Sequence, residues 1–164
     1  MSCDRVLPKA LSADDAVQVT HHLHLDPLPR LVAETRDFVL AHAPDLPSDT
    51  EDVLRLLTSE LVTNAVLHAR TPLEVGMTVS QRSVVVTVHD LDLDRPAQQP
   101  YPGREGGWGL GLVTALAQQY AMEVHVEGGK TAWFRLPRGA MPDVSDDAAA
   151  RPAVRALAGE GGTS

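Results

Sequence analysis

Short apolar runs, broken by clusters of Pro, Gly and Asp, set the rhythm of this chain. Residues 19–25 (VTHHLHL) alternate apolar and polar positions, the two-residue period of a strand. Pro27 and Pro29 interrupt the chain. Beyond them Leu31, Val32, Thr35, Phe38 and Val39 recur at helical spacing, which predicts an amphipathic helix over 29–42. Pro44 and Pro47 end it. Ser48 followed by Glu51 has the form of a capping box, so a longer helix is predicted from there to His68 or Ala69. LEVGMTV (73–79) and SVVVTVH (83–89) read as strands split by the polar turn Ser80, Gln81 and Arg82. Residues 90–108 are rich in Asp, Pro and Gly, and loops of that length inside a domain are often functional lids. A third helix is predicted from about Gly109 to Tyr120. MEVHVE (122–127) and TAWFRL (131–136) then form a hairpin around Gly128, Gly129 and Lys130.

The order β, α, α, β, β, loop, α, β, β joins successive strands by short turns. That predicts an α+β two-layer sandwich, with a mixed, mostly antiparallel sheet and the helices on one face. A doubly wound parallel sheet is excluded by the same turns. One domain is expected over 19–137, with a loose leader at 1–18. From Arg138 onward Ala, Asp, Pro and Gly dominate, and residues 138–164 read as a disordered tail.

Composition narrows the function. Aromatic residues are only 4%, so the core must be built from Leu, Val and Ala. A net charge of -8 argues against nucleic acid as a direct partner, because phosphate binding needs clustered Lys and Arg. Cys3 is the single cysteine, which excludes an internal disulfide and a Cys-based zinc site. There is no basic segment followed by an apolar run at the N-terminus, and no apolar stretch approaching ~20 residues. The expectation is a cytoplasmic protein with no membrane contact.

Three patterns carry chemistry. Glu60, Asn64 and His68 fall at successive i, i+4 positions on the long helix, forming one polar stripe beside Leu61, Val62, Ala65, Val66 and Ala69. Spacing alone leaves two readings open: a solvated edge, or a site in which Glu60 is a general base and Asn64 offers an oxygen to Mg²⁺. EGGWGLGLV (105–113) places glycines at 106, 107, 109 and 111 at the start of a helix. Such a run is either a plain flexible turn or a cradle for phosphate at a helix N-terminus. It is not a P-loop, because the Lys-Ser/Thr pair is missing. Asp90 ends a strand, where it is either a turn residue or an acceptor for an exocyclic amine such as that of adenine. The alternation Asp90, Asp92, Asp94 is no calcium loop: Arg95 stands where Gly is needed and Tyr101 where Glu is needed. His21, His22 and His24 read as strand residues, not metal ligands.

Together SELVTNAVLHA (59–69), VTVHD (86–90), GGWGLGLV (106–113) and GGKTAWFRLP (128–137) resemble the GHKL, or Bergerat-fold, ATPases. More narrowly, they are similar to the small stand-alone anti-sigma-factor serine/threonine kinases of actinobacteria. The four segments stand where that family has its N-box, adenine-binding Asp, glycine-rich lid and closing hairpin, and order and spacing agree over roughly 20–137. The resemblance implies ATP and Mg²⁺ as cofactors. It implies Glu60 as general base and Asn64 as the residue holding Mg²⁺ against the phosphates. It further implies Asp90 as acceptor for the adenine amine, with Gly107, Gly109, Leu110 and Gly111 in the lid that closes over the phosphates. His68 receives no settled role. The implied partners are a sigma factor and an anti-sigma-factor antagonist, the latter phosphorylated on Ser or Thr, and family habit implies a homodimer. The chain departs from the family two residues after Asp90, where Asp92 replaces a glycine that normally lies against the base. Asp92 favours a second reading, a non-catalytic nucleotide-responsive or degenerate adaptor acting by protein contact. Glu60 with Asn64 favours the kinase.

Overall fold

The computed structural model describes residues 11, 15–26, 28, 30–43, 45–68, 71–92, 108–126 and 128–139. Among them the chain runs β1 (Val17–Leu25), α1 (Leu31–Ala41), α2 (Ser48–His68), β2 (Leu73–Ser80), β3 (Ser83–Asp90), α3 (Trp108–Leu116), β4 (Gln119–Val124) and β5 (Lys130–Pro137). The sheet order is β1-β2-β3-β5-β4. Every neighbouring pair is antiparallel, so the expected α+β sandwich is built on a wholly antiparallel sheet.

The alternation of strand side chains sorts the sheet into two faces. Leu73, Val75, Met77 and Val79 of β2 lie on one face with Val84, Val86 and Val88 of β3 and Phe134 and Leu136 of β5. All are buried in one cluster with Val39 of α1, Leu54, Leu57, Leu61, Val62 and Ala65 of α2, and Val113 of α3. Each such aliphatic side chain contributes ~1.5–3 kcal/mol relative to exposure. Phe134 is the one aromatic fully buried there, as the scarcity of aromatic residues predicts. Among the described residues no helix is long and apolar enough to cross a membrane.

β3 is buried along its whole length, so its far face is covered too. There Val85 and Trp133 pack with Leu11 and Ala121. Asp15 is buried nearby. Its carboxylate accepts from the Arg82 N–H at 2.9 Å and from the Ser83 hydroxyl, and lies 3.6 Å from Arg135 Nη2. Burial alone would raise the Asp15 pKa, but the hydroxyls of Ser83 and Ser80, the Arg82 N–H and the Arg135 charge outweigh it and hold it below its ordinary value. Part of the stretch expected as a loose leader is therefore tied to the sheet, and β1 begins two residues before the expected Val19. Arg138, expected to open the tail, is likewise held: its backbone N–H donates to Arg82 O at 2.8 Å and Nη1 to Ser80 O at 2.9 Å. Residues 140–164 lie outside the described residues.

Two local expectations are corrected. Ser48 is the first helical residue of α2 rather than its cap. The Glu51 N–H goes to Pro47 O at 2.9 Å and the Ser48 hydroxyl to Asp49 Oδ1 at 3.4 Å, so no capping box forms. The third helix stops at Leu116, not Tyr120. Ala117 N still reaches Val113 O at 2.9 Å, but Gln118 N donates to Arg135 O at 2.9 Å, and β5 has captured the chain. β4 consequently starts at Gln119, three residues before the expected strand, and Tyr120 pairs with Phe134.

Candidate nucleotide site

Asp90 is the last residue of β3, and the period of the strand turns it to the face that carries the helices, in line with Val86 and Val88. It is 3% exposed. Its cross-strand partner is Lys130, the first residue of β5. Lys130 Nζ lies 3.4 Å from Asp90 Oδ1 and 3.3 Å from Asp92 Oδ2. The backbone N–H of Asp92 also donates to Asp90 Oδ1, at 3.0 Å. One residue earlier, the Leu91 N–H donates to Thr71 Oγ1 at 3.1 Å, which fixes the chain as it leaves the strand. Burial raises the pKa of Asp90, while the Lys130 charge and the Asp92 N–H pull it back down. Both stabilising contacts fall on Oδ1. Among the described residues Oδ2 has no hydrogen-bond partner, so the buried carboxylate keeps one acceptor open.

Asp92, which stands where the resembled family has glycine, is drawn into the same cluster. Its carboxylate is held by Lys130. Lys130 itself escaped the sequence reading, which took it as a turn residue. The signal was present: alternation through β5 places Lys130 on the face of Ala132, Phe134 and Leu136, and a lysine on an apolar strand face needs a buried partner.

On α2, Leu61, Val62 and Ala65 are buried as expected and Val66 is partly buried, while Ala69 lies outside the described residues. Glu60 and Asn64 are half-buried and His68 is exposed. Among the described residues no hydrogen bond or ion pair engages Glu60 or Asn64. A half-buried carboxylate and amide left uncommitted on one helix face suit a hard, oxygen-preferring cation and a hydroxyl proton. Burial thus falls along the stripe, from half-buried Glu60 and Asn64 to exposed His68.

Gly109, Leu110 and Gly111 lie in the first turn of α3; Gly107 lies outside the described residues. Among the described residues, a Cβ on Gly111 would meet nothing within 4 Å. Packing therefore gives no reason for glycine inside a helix, where it costs ~0.8–1 kcal/mol against alanine. Close approach of a ligand to the backbone would give one. Gly111→Ala is expected to raise the melting temperature by roughly 2–4 °C and to weaken ATP binding about tenfold. Melting curves and calorimetric titration check both halves. A stabilised variant with unchanged affinity would remove Gly111 from the site.

The site geometry is that of an open antiparallel sheet with helices packed on one face and a buried acidic residue at the end of its central strand. The family model described as histidine kinase-like ATPase domain matches residues 25–136, well over half of the chain, and the protein belongs to that family. Domains of this family bind ATP, usually with Mg²⁺. No curated protein matches the chain.

Proposed function

We propose that this domain is an ATP-dependent protein serine/threonine kinase of the anti-sigma-factor type. It would hold a sigma factor by protein contact and phosphorylate an antagonist that would otherwise release it. The observation that carries the reading is the Asp90 carboxylate: buried, fixed through Oδ1, and open at Oδ2, in a chain of an ATP-binding family. Asp90 would accept the exocyclic amine of adenine. Asn64 would hold Mg²⁺ through its amide oxygen. When bound, that ion supplies positive charge at the phosphates. Glu60 would take the proton from the acceptor hydroxyl as its oxygen bonds to the γ-phosphorus. The bond to the β–γ bridging oxygen breaks, and ADP leaves. Asp92, in the place of a glycine, favours a non-catalytic adaptor as the second reading; Lys130, shared with Asp90, offsets part of its charge.

The test is phosphoryl transfer from γ-labelled ATP to a panel of purified anti-sigma-factor antagonists from the source organism. Label is expected on a Ser or Thr, dependent on Mg²⁺. Tight ATP binding with no labelled protein across the panel would favour the adaptor.

A further inference from the structure

Lysines normally carry their ammonium group out to water along an apolar stem. Lys130 does not. It shares its strand face with Ala132, Phe134 and Leu136, and its side chain is only 9% exposed. The ammonium sits between two carboxylates, 3.4 Å from Asp90 Oδ1 and 3.3 Å from Asp92 Oδ2. An ammonium has three N–H donors. The carboxylates take two, and among the described residues the third has no partner. Beside it, Oδ2 of Asp90 is an acceptor without a partner. The end of the sheet therefore presents an open acceptor and an open donor next to each other.

We propose that Lys130 is a specificity-determining residue that donates to N1 of adenine while Asp90 Oδ2 accepts from the exocyclic amine. This rests on the reading of Asp90 as the adenine contact and extends it. Adenine offers a donor, the amine, next to an acceptor, N1, and this edge is complementary to the pair. Guanine offers the reverse, a carbonyl oxygen next to an N1–H, so both contacts would become clashes of like with like. A site built to pair buried polar groups rejects such a ligand strongly, because its own groups are left unpaired. Asp92 then has a defined part: it is the second counter-charge that keeps the Lys130 ammonium at the site, and Asp92→Gly would loosen it.

The experiment compares ATP with 1-deaza-ATP, which lacks the N1 acceptor, on the natural protein and on Lys130→Met, by calorimetry with Mg²⁺ present. The natural protein is expected to prefer ATP about tenfold. Lys130→Met is expected to bind the two nucleotides within about twofold of each other. A lysine that only supports the structure or the charge of Asp90 would weaken both nucleotides alike. The preference would then persist in Lys130→Met, and the proposal would be overturned. Equal binding of the two nucleotides by the natural protein would overturn it as well, whatever the variant does. Should Lys130→Met fail to fold, Lys130→Gln takes its place in the comparison. Failure of the underlying reading looks different: the natural protein would bind no ATP, or Asp90→Ala would bind it unchanged. Loss of ATP binding in Asp90→Ala with full preference kept in Lys130→Met refutes the role of Lys130 alone.

Discussion

Asp90→Ala is expected to bind Mg·ATP roughly ten- to a hundredfold more weakly than the natural protein, ~1.4 to 2.8 kcal/mol. On the proposed reading the substitution would remove the buried acceptor for the adenine amine, and it strips Lys130 of one of its two counter-charges. Asp90→Asn should be little better. Its amide oxygen would turn to Lys130, leaving an NH₂ group to face the adenine amine. Acidity provides a second handle. Burial raises the pKa of Asp90, so the acceptor is lost to protonation at milder acidity than for an exposed aspartate, and affinity falls as pH drops through that raised value. Calorimetry at neutral pH and in mild acid measures both effects. Equal affinity of Asp90→Ala and the natural protein would end the assignment of the adenine contact.

Glu60→Ala should have the opposite profile. ATP binding is expected to stay within about twofold of the natural protein, while phosphoryl transfer drops by ~10²–10⁴-fold. Glu60 is half-buried and makes no hydrogen bond or ion pair among the described residues, so its removal breaks no polar contact among them. A general base acts as the proton leaves, which is why the loss belongs to the rate and not to the affinity. Single-turnover transfer from γ-labelled ATP, run beside a binding titration, separates the two. Transfer at the natural rate would show that another group takes the proton.

Local periodicity made much of this fold legible. The i, i+4 stripe on α2 and the apolar runs of β2 and β3 required no long-range information, and all three elements lie where the pattern placed them. The boundary between α3 and β4 was not legible. LVTALAQQY keeps a helical pattern, and the helix gives way where Gln118 N turns to Arg135 O and the chain pairs with β5. The anchoring of Asp15 was hidden for a related reason: it depends on Arg82 and Ser83, 67 and 68 residues away, and apolar content near the N-terminus says nothing about a polar clasp. In the site, strand-end position marked Asp90, but the residue that sets its open oxygen comes from another strand. Reading Lys130 required knowing that β5 lies beside β3, although β4 and β5 are the sequential neighbours.

Adjacent rungs of the β3–β5 ladder face opposite ways. Asp90 and Lys130 meet on the helix side. One rung inward, His89 Nδ1 lies 3.0 Å from Thr131 Oγ1, and His125 Nε2 lies 2.7 Å from the same oxygen. A slip of β5 by a single residue would exchange the two sets, bringing Thr131 beside Asp90 and Lys130 among the histidines. Gly129 acts as the end stop. Its φ is 85°, and a Cβ there would run into the carbonyl oxygen of Asp90. The two-glycine turn thus fixes the phase of the strand that delivers the lysine, and it belongs to the site as firmly as any side chain. For the evolution of such domains this closes one route and leaves another. The hairpin can change residues freely only where the ladder keeps its count, and a gain or loss of one residue that moved β5 would change in a single step which side chain stands opposite Asp90.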